Sequence, residues 1–214
     1  DSQSPEGAAT DISPGSGGGA PAWGDAITVV PWTVWQFTGD TRLLEEHYKG
    51  MRAWVEYMRR QSRDDLYERG GYGDWIAVVA SPAEPIGSAY YFYSTKLLAE
   101  MAAAVGKEED ARTYTALAAR IAAAYNARHL NPQTNDYTGG TQTAKILPLA
   151  FGITPPDRVA AVAAKLVEDI TKRRYHLTTG FLGTPYINSV LTQTGHHGVA
   201  YRLAAQDTYP SWGY

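Results

Sequence analysis

Residues 41–60 read TRLLEEHYKGMRAWVEYMRR, and large apolar side chains recur along this stretch at a regular interval. The spacings are four, three, four and three residues, which is the period of one face of an α-helix. The members of this face are Leu44, Tyr48, Met51, Val55 and Met58. Asp40 lies just before the stretch and is a residue type that caps helix N-termini. The stretch therefore predicts an amphipathic helix with one buried face.

The same period recurs along most of the chain, so the predicted fold class is all-α. Segments with helical spacing or a short apolar run of helical length number eight, and no strand-like alternation exceeds a few residues. These segments are 25–37, 41–60, 88–105, 109–128, 142–151, 157–173, 185–193 and 198–206. Thr154, followed by Pro155 and Asp157, predicts the N-cap of the helix over 157–173. Residues 1–20 have no periodicity and include Gly17, Gly18 and Gly19, which predicts a loop or linker before one helical domain over 21–214.

The connections between the predicted helices are of two kinds, and the two kinds alternate. Short turns at 38–39, 106–107, 152–154 and 195–197 each contain a Gly where a helix would end. The other connections are longer and rich in Gly and aromatic residues: PAWGD at 21–25, GGYGDW at 70–75, DYTGGTQT at 136–143, TTGFLGTPY at 178–186 and TYPSWGY at 208–214. In an antiparallel array, alternate connections lie at the same end. We expect about four helical hairpins with the five aromatic loops on one face.

Composition argues against several classes of partner. The net charge is -3, and the densest basic cluster is 172–174, at the predicted end of a helix, so nucleic acid is not an expected partner. No apolar run approaches the ~20 residues that span a membrane. The chain has no Cys, which is compatible with either a cytoplasmic or a secreted bacterial protein. The five His residues show no metal-ligand spacing and no nucleotide motif occurs, so neither metal nor cofactor is expected.

The aromatic content instead favours a polar ligand such as a carbohydrate. There are 15 Tyr and 6 Trp but only 4 Phe, and rings with a polar edge suit such a ligand. Trp23, Trp75 and Trp212 lie in three of the aromatic loops, where they could be sugar platforms or ordinary core residues. Asp25 and Asp74 each lie beside a Gly and an aromatic residue. They could be two helix N-caps or a pair of carboxylates that bind sugar hydroxyls.

The order of motifs gives the chain a specific resemblance. The motifs are DSQSPEG at 1–7, PAWGD at 21–25 with VVPW at 29–32, GDTRLLEEHY at 39–48, GDW at 73–75, TGFLGTPY at 179–186 and YPSWGY at 209–214. In this order they resemble the catalytic domain of bacterial α-L-rhamnosidases of glycoside hydrolase family 78. The resemblance implies an (α/α)6 toroid, of which this chain is an incomplete part. It also implies an inverting hydrolase that releases terminal L-rhamnose.

The resemblance further assigns residues. The family's general acid lies upstream of the segment that matches Asp1, and its general base lies beyond the segment that ends at Tyr214. We therefore expect this chain to lack both and to be inactive alone. What the resemblance carries over is the part that holds the sugar, which is expected to comprise Trp23, Asp25, Asp74, Trp75, Thr184 and Trp212.

Two other functions fit the same residues. One is a helical toroid that binds carbohydrate without catalysis. The other is a different (α/α)6 glycosidase or lyase in which Asp25 or Asp74 acts chemically. Glu84 is a further acidic residue near an aromatic cluster. Its position favours a place in the first turn of a helix over a role as an acid catalyst.

Overall fold

A computed structural model describes residues 3–13, 18–69 and 71–214, and within these ranges the chain forms eight α-helices. Their bounds are α1 Ala26–Thr38, α2 Arg42–Gln61, α3 Ala83–Ala104, α4 Glu108–His129, α5 Gln142–Phe151, α6 Val159–Lys172, α7 Thr184–Gln193 and α8 His197–Ala204. Two two-residue strands, β1 Leu130–Asn131 and β2 Asp136–Tyr137, pair antiparallel. The all-α prediction is confirmed. Every helix in the described ranges falls short of the length and apolar character that a membrane crossing requires.

Contacts divide the chain into two compact units. The first unit is Asp1–Gly71 with Gly87–Ala124, and the second is Tyr72–Ile86 with Tyr125–Tyr214. In the first unit the predicted apolar face of α2 is buried, and Trp54 and Tyr57 join it. Each fully buried Leu, Val or Met side chain contributes roughly 1.5–3 kcal/mol to folding, so this face anchors the unit.

The second unit has its own core, built where α5 packs against α6 and α7, and α7 against α8. The buried residues of this core are Ile146, Leu166, Ile170, Leu177, Ile187, Val190, Leu191, Ala200 and Leu203. All but Leu177 lie on helices, where members of the same helix are three or four residues apart, except for the adjacent pair Val190 and Leu191. The core supports the loops on which the candidate site is built.

Glycines end helices where the sequence predicted. Gly39 and Gly152 are the C-caps of α1 and α5 and have φ angles of 69° and 82°. Gly106 follows α3 with a φ angle of 73°, and Gly195 follows α7 with a φ angle of 83°. This left-handed conformation is cheap for glycine because it has no Cβ, and it stops the helix without strain.

Two predicted helix starts were wrong. Thr154 does not cap α6, since α6 begins at Val159 with Arg158 at the N-cap position. The Thr154 hydroxyl instead accepts a hydrogen bond from Tyr137 Oη at 3.1 Å, and a separate turn joins Arg158 N to Pro155 O. Asp40 lies one residue before the N-cap of α2, which is Thr41, although Asp40 Oδ1 does accept from Arg42 N at 3.0 Å.

The described part of residues 1–20 has neither helix nor strand, and it packs on α2. Gln3 Nε2 donates to Gly50 O at 3.0 Å, and Gly19 O accepts from Tyr67 Oη at 2.9 Å. The predicted loop residues 14–17, together with 1–2 and Gly70, lie outside the described residues.

Candidate functional site

The loop that precedes α1 is built around the carboxylate of Asp25. Asp25 is fully buried, and its Oδ2 accepts from Ala22 N at 2.7 Å. Its Oδ1 accepts from Trp54 Nε1 at 2.9 Å and from Ser94 Oγ. Ala22 has a φ angle of 72°, so the short turn that the carboxylate closes is one that an L-residue rarely adopts. Asp25 occupies the N-cap position of α1 but makes no side-chain bond to that helix.

Burial dominates the electrostatics of this carboxylate. It raises the pKa of Asp25 to about 6, and the hydrogen bonds from Ser94, Trp54 and Ala22 oppose the rise only in part. A buried carboxylate is costly to ionise because few dipoles replace the water it has lost. In spite of this cost, the three hydrogen bonds to Asp25 fix the loop that carries Trp23.

Trp23 lies on a groove in the first unit. The groove has a volume of about 600 Å³, and Trp23 is partly buried there beside Ile27, Val30 and Pro31 of α1. Thr10 and neighbouring residues of the N-terminal segment also line the groove. Trp23 is therefore part of the wall of this groove.

Asp74 organises the loops of the second unit. It is buried; its Oδ2 accepts from Gly180 N at 2.8 Å and from Thr143 Oγ1, and its Oδ1 accepts from Leu182 N at 2.8 Å. Three aromatic loops, 73–75, 136–143 and 178–186, are thereby joined by one carboxylate. The interpretation of Asp74 as a helix N-cap is wrong, because α3 begins only at Ala83 and the carboxylate bonds to a different loop.

Lys145 supports the same arrangement from α5. The side chain is buried, and Nζ donates to Gly140 O at 2.6 Å and Thr141 O at 3.1 Å and lies 3.1 Å from Asp136 Oδ1. A buried ammonium needs such a complete set of acceptors. Its bonds fix the loop that presents Thr143 to Asp74.

Beside Asp74, two aromatic rings form an exposed platform. Trp75 is 50% exposed and Phe181 is 60% exposed, and their ring centroids are 5.5 Å apart with a 31° angle between planes. Phe181 N donates to Trp75 O at 3.0 Å, which joins the two backbones as well. Trp75 is therefore a half-exposed ring rather than a core residue.

Thr184 and Trp212, the two remaining predicted residues, lie in the same unit. Thr184 begins α7, and its Oγ1 donates to Gly180 O at 2.7 Å and lies 2.7 Å from Thr179 Oγ1. Trp212 is 45% exposed in the loop 208–214, and this loop is joined to the start of the loop 178–186 because Leu177 N donates to Pro210 O at 3.2 Å. The second unit thus brings four of the five aromatic loops together.

Within the part of the chain that the structure describes, no group of three or more His, Asp or Glu side chains is placed to hold a metal ion. Glu84 lies in the first turn of α3, as predicted, and its Oε1 is 3.7 Å from Arg128 Nε. Each unit, taken by itself, therefore has a buried carboxylate, Asp25 or Asp74, that fixes a loop carrying a predicted Trp.

Comparison with known proteins identifies the family. The family model of the bacterial alpha-L-rhamnosidase six-hairpin glycosidase domain matches residues 1–214. The chain belongs to this family. An alpha-L-rhamnosidase of Streptomyces avermitilis is 41% identical over 100% of this chain and 21% of its own length. One of Formosa agariphila is 36% identical over 90% of this chain and 22% of its own length.

Solved structures agree with the rhamnosidase family. The structure of Streptomyces avermitilis alpha-L-rhamnosidase complexed with L-rhamnose matches 99% of this chain with a TM-score of 0.95 and 40% identity, and the match covers 21% of that structure's chain. The alpha-L-rhamnosidase of Dictyoglumus thermophilum matches 100% of this chain with a TM-score of 0.93 and 35% identity, over 25% of that chain. This chain thus spans about a fifth of the length of the relatives it matches.

Sequence reasoning missed several residues of this rhamnosidase-family site. Phe181 was visible only as part of an aromatic loop, and its pairing with Trp75 joins residues more than 100 positions apart. Trp54 and Ser94 lie inside predicted helices, where nothing marks them as donors to Asp25. Direct contact of the six predicted residues with a sugar stays a prediction.

Proposed function

We propose that the protein that carries this chain is a glycoside hydrolase that releases terminal L-rhamnose from α-L-rhamnosides with inversion. The observation that carries the proposal is the match of all 214 residues to the alpha-L-rhamnosidase six-hairpin glycosidase domain. The similarity to a rhamnosidase structure that contains L-rhamnose supports the choice of sugar. In this proposal the chain supplies much of the surface that holds the sugar.

The chemistry requires two carboxyl groups. A general acid protonates the glycosidic oxygen as the bond to the anomeric carbon breaks, while a general base takes a proton from the water that attacks the opposite face. The two groups are roughly 6.5–9.5 Å apart so that the water fits between substrate and base. We place both in parts of the whole protein outside this chain.

Asp25 and Asp74 are poorly suited to these two roles. Each is buried, and each has three hydrogen bonds from donors of its own chain. The pKa of Asp25, about 6, would suit a general acid, but its proton has no path to a substrate oxygen while these bonds persist. We assign both residues to loop positioning and assign Trp23, Trp75 and Trp212 to the sugar faces.

Rhamnose fits an aromatic platform for a simple reason. It carries a methyl group where most hexoses carry a hydroxymethyl group, so one edge of the ring is apolar. An exposed indole such as Trp75 offers a flat apolar face to that edge and to the ring C–H groups. Thr184 stays a looser candidate, since its hydroxyl already donates to Gly180 O.

The test is an assay of the whole protein and of the isolated chain on about a dozen aryl glycosides. We expect the whole protein to act on the α-L-rhamnoside alone, with β-L-rhamnose as the first product by NMR, and the isolated chain to be inactive. Turnover by the isolated chain would make Asp25 and Asp74 the acids to mutate. Release of a different sugar would contradict the proposal.

The sugar platform has its own matched variants. Trp75→Ala in the whole protein is expected to raise KM for the rhamnoside about tenfold or more, because a face contact of about 1.4 kcal/mol is lost. Tyr201→Ala is the control, since Tyr201 is an exposed aromatic residue on α8 outside the aromatic loops. Equal KM values for the two variants would remove Trp75 from the sugar site.

A further inference from the structure

A pocket of about 330 Å³ lies beside the Trp75–Phe181 platform. Its lining residues are Ile76, Thr179, Gly180, Phe181, Thr184 and Pro185. We call it the Ile76–Phe181 pocket. All of its lining belongs to the second unit, and Ile76 directly follows Trp75 in the chain. The volume is enough for one ring-sized group.

Three backbone N–H groups of the pocket lining already donate within the chain. Gly180 N donates to Asp74 Oδ2 at 2.8 Å, Phe181 N to Trp75 O at 3.0 Å, and Thr184 N to Gly180 O at 3.2 Å. The two threonine hydroxyls are used as well. Thr184 Oγ1 donates to Gly180 O, so the proton of the 2.7 Å contact between the hydroxyls comes from Thr179.

What remains exposed in the pocket is apolar. Ile76 is 68% exposed and Phe181 is 60% exposed, and Pro185, which has no N–H, is also exposed. A second sugar residue would need donors and acceptors for its hydroxyls, and unmatched polar groups are costly to desolvate. An aromatic ring needs only apolar faces, and Phe181 offers a ring of its own for stacking.

The backbone conformation of Ile76 supports a role of its exposed side chain in binding a ligand. Its φ angle is 59°, a conformation that costs a β-branched residue on the order of 1–3 kcal/mol. With this φ angle, Trp75 and Ile76 both stay largely exposed although they are adjacent in the chain. Glycine adopts this backbone without that cost, so Ile76→Gly removes the side chain without straining the loop.

We propose that the Ile76–Phe181 pocket binds the aglycone of the rhamnoside and that it selects aromatic aglycones over sugar aglycones. This inference rests on the proposed function, since an aglycone is present only if a rhamnoside is the substrate. The sugar lies against Trp75, and the group attached to it reaches the neighbouring pocket. Ile76 and Phe181 then determine specificity without touching the bond that breaks.

The test compares two substrates whose leaving groups are both primary alcohols, 2-phenylethyl α-L-rhamnoside and a disaccharide of rhamnose linked to O6 of glucose. Free rhamnose is measured with the whole protein and with Ile76→Gly, which keeps the backbone accessible. We expect Ile76→Gly to lower kcat/KM for the phenylethyl rhamnoside about tenfold, through KM, and to change the disaccharide less than about twofold. Phe181→Ala should act in the same direction.

The control is Val78→Gly, which removes an exposed aliphatic side chain from the same loop but outside the pocket lining. It should leave both substrates unchanged. A preference of the unaltered protein for the disaccharide, or an equal loss on both substrates in Ile76→Gly, would overturn the inference and leave the proposed function intact. Release of rhamnose from neither substrate would overturn both.

Discussion

Asp25 shows how a single buried carboxyl can be accommodated in two protonation states. When ionised, it accepts from Ser94 Oγ, Trp54 Nε1 and Ala22 N. When protonated, it can donate to Ser94 Oγ, and Ser94 can then donate to Thr28 Oγ1, which lies 2.6 Å away. Thr28 Oγ1 in turn donates to Asp25 O at 2.9 Å. The hydroxyls can reverse their roles because their hydrogens rotate.

The raised pKa of Asp25 predicts a pH-dependent stability. The pKa is about 6 in the folded state, against 3.8 for an unperturbed aspartate, so the folded state binds the proton more tightly. The resulting stability, about 3 kcal/mol, is fully present below pH ~4 and is lost as pH rises through ~6. Asp25→Asn has no such titration. About 2 kcal/mol of this stability is lost between pH 4.5 and 7, so the melting temperature of the wild type relative to this variant should fall by a few °C over that range in the whole protein.

Asp40→Asn is the matched control for this melting experiment. Asp40 is exposed, and hydrogen bonds to Arg42 lower its pKa to about 2. Its titration therefore ends below the pH range of the experiment, and the variant should parallel the wild type. A constant difference between wild type and Asp25→Asn over the same range would contradict the raised pKa.

The residue scale is also where sequence reasoning reaches least far. The sequence singled out Asp25 and Asp74 by their Gly and aromatic neighbours, and both are the central residues of their loops. Their partners could not be predicted, because Asp74 bonds to amides more than 100 residues away and no local pattern names them. The left-handed backbone of Ile76 is likewise set by tertiary contacts, since a β-branched residue disfavours it locally.

At the scale of elements, prediction from sequence worked because helix periodicity is local. The apolar face of α2 was buried as predicted from spacing alone. Helix starts were less predictable, because a cap competes with other partners for the same side chain. Thr154 illustrates this, since α6 begins only at Val159 and the Thr154 hydroxyl accepts from Tyr137 instead.

The close approach of two loops predicts an effect of adding one methyl group. A Cβ on Gly180 would meet Trp75 O and would lie 2.7 Å from both Ala77 N and Asp74 O, where real Cβ contacts do not fall below about 3.0 Å. Gly180→Ala must therefore separate loops 73–77 and 178–186, at a cost of about 1–3 kcal/mol or more. We expect a lower melting temperature and a higher KM for rhamnosides, because the Trp75–Phe181 platform moves.

Gly198→Ala is the control for this loop contact. Gly198 lies in α8, and a Cβ there would meet nothing within 4 Å. The same substitution should be neutral or slightly stabilising, since Ala favours a helix over Gly by up to about 1 kcal/mol. Unchanged melting and KM in Gly180→Ala would show that the two loops adjust freely.

At the scale of the molecule, the first unit presents an apolar face that a soluble monomer rarely leaves open. Val30, Val34 and Phe37 of α1 follow each other at helical spacing and are 54%, 38% and 87% exposed. The family is named for six hairpins, whereas the described residues form eight helices, enough for four. We infer that further helices of the whole protein cover this face.

This exposed face predicts that the isolated 214 residues associate. Apolar patches of more than a few hundred Å² drive contacts between copies, so the mass measured by light scattering should exceed 23.3 kDa and rise with concentration. The double variant Val34→Lys and Phe37→Lys should return the mass toward that of a monomer, because charged side chains oppose burial of the face. Gln36→Lys is the control, because it adds a charge on the same helix at an exposed polar position. It should leave the measured mass unchanged. A monomer with a sharp, cooperative melt at every concentration would contradict this prediction. It would show that the apolar face of α1 is stable without further helices packed on it.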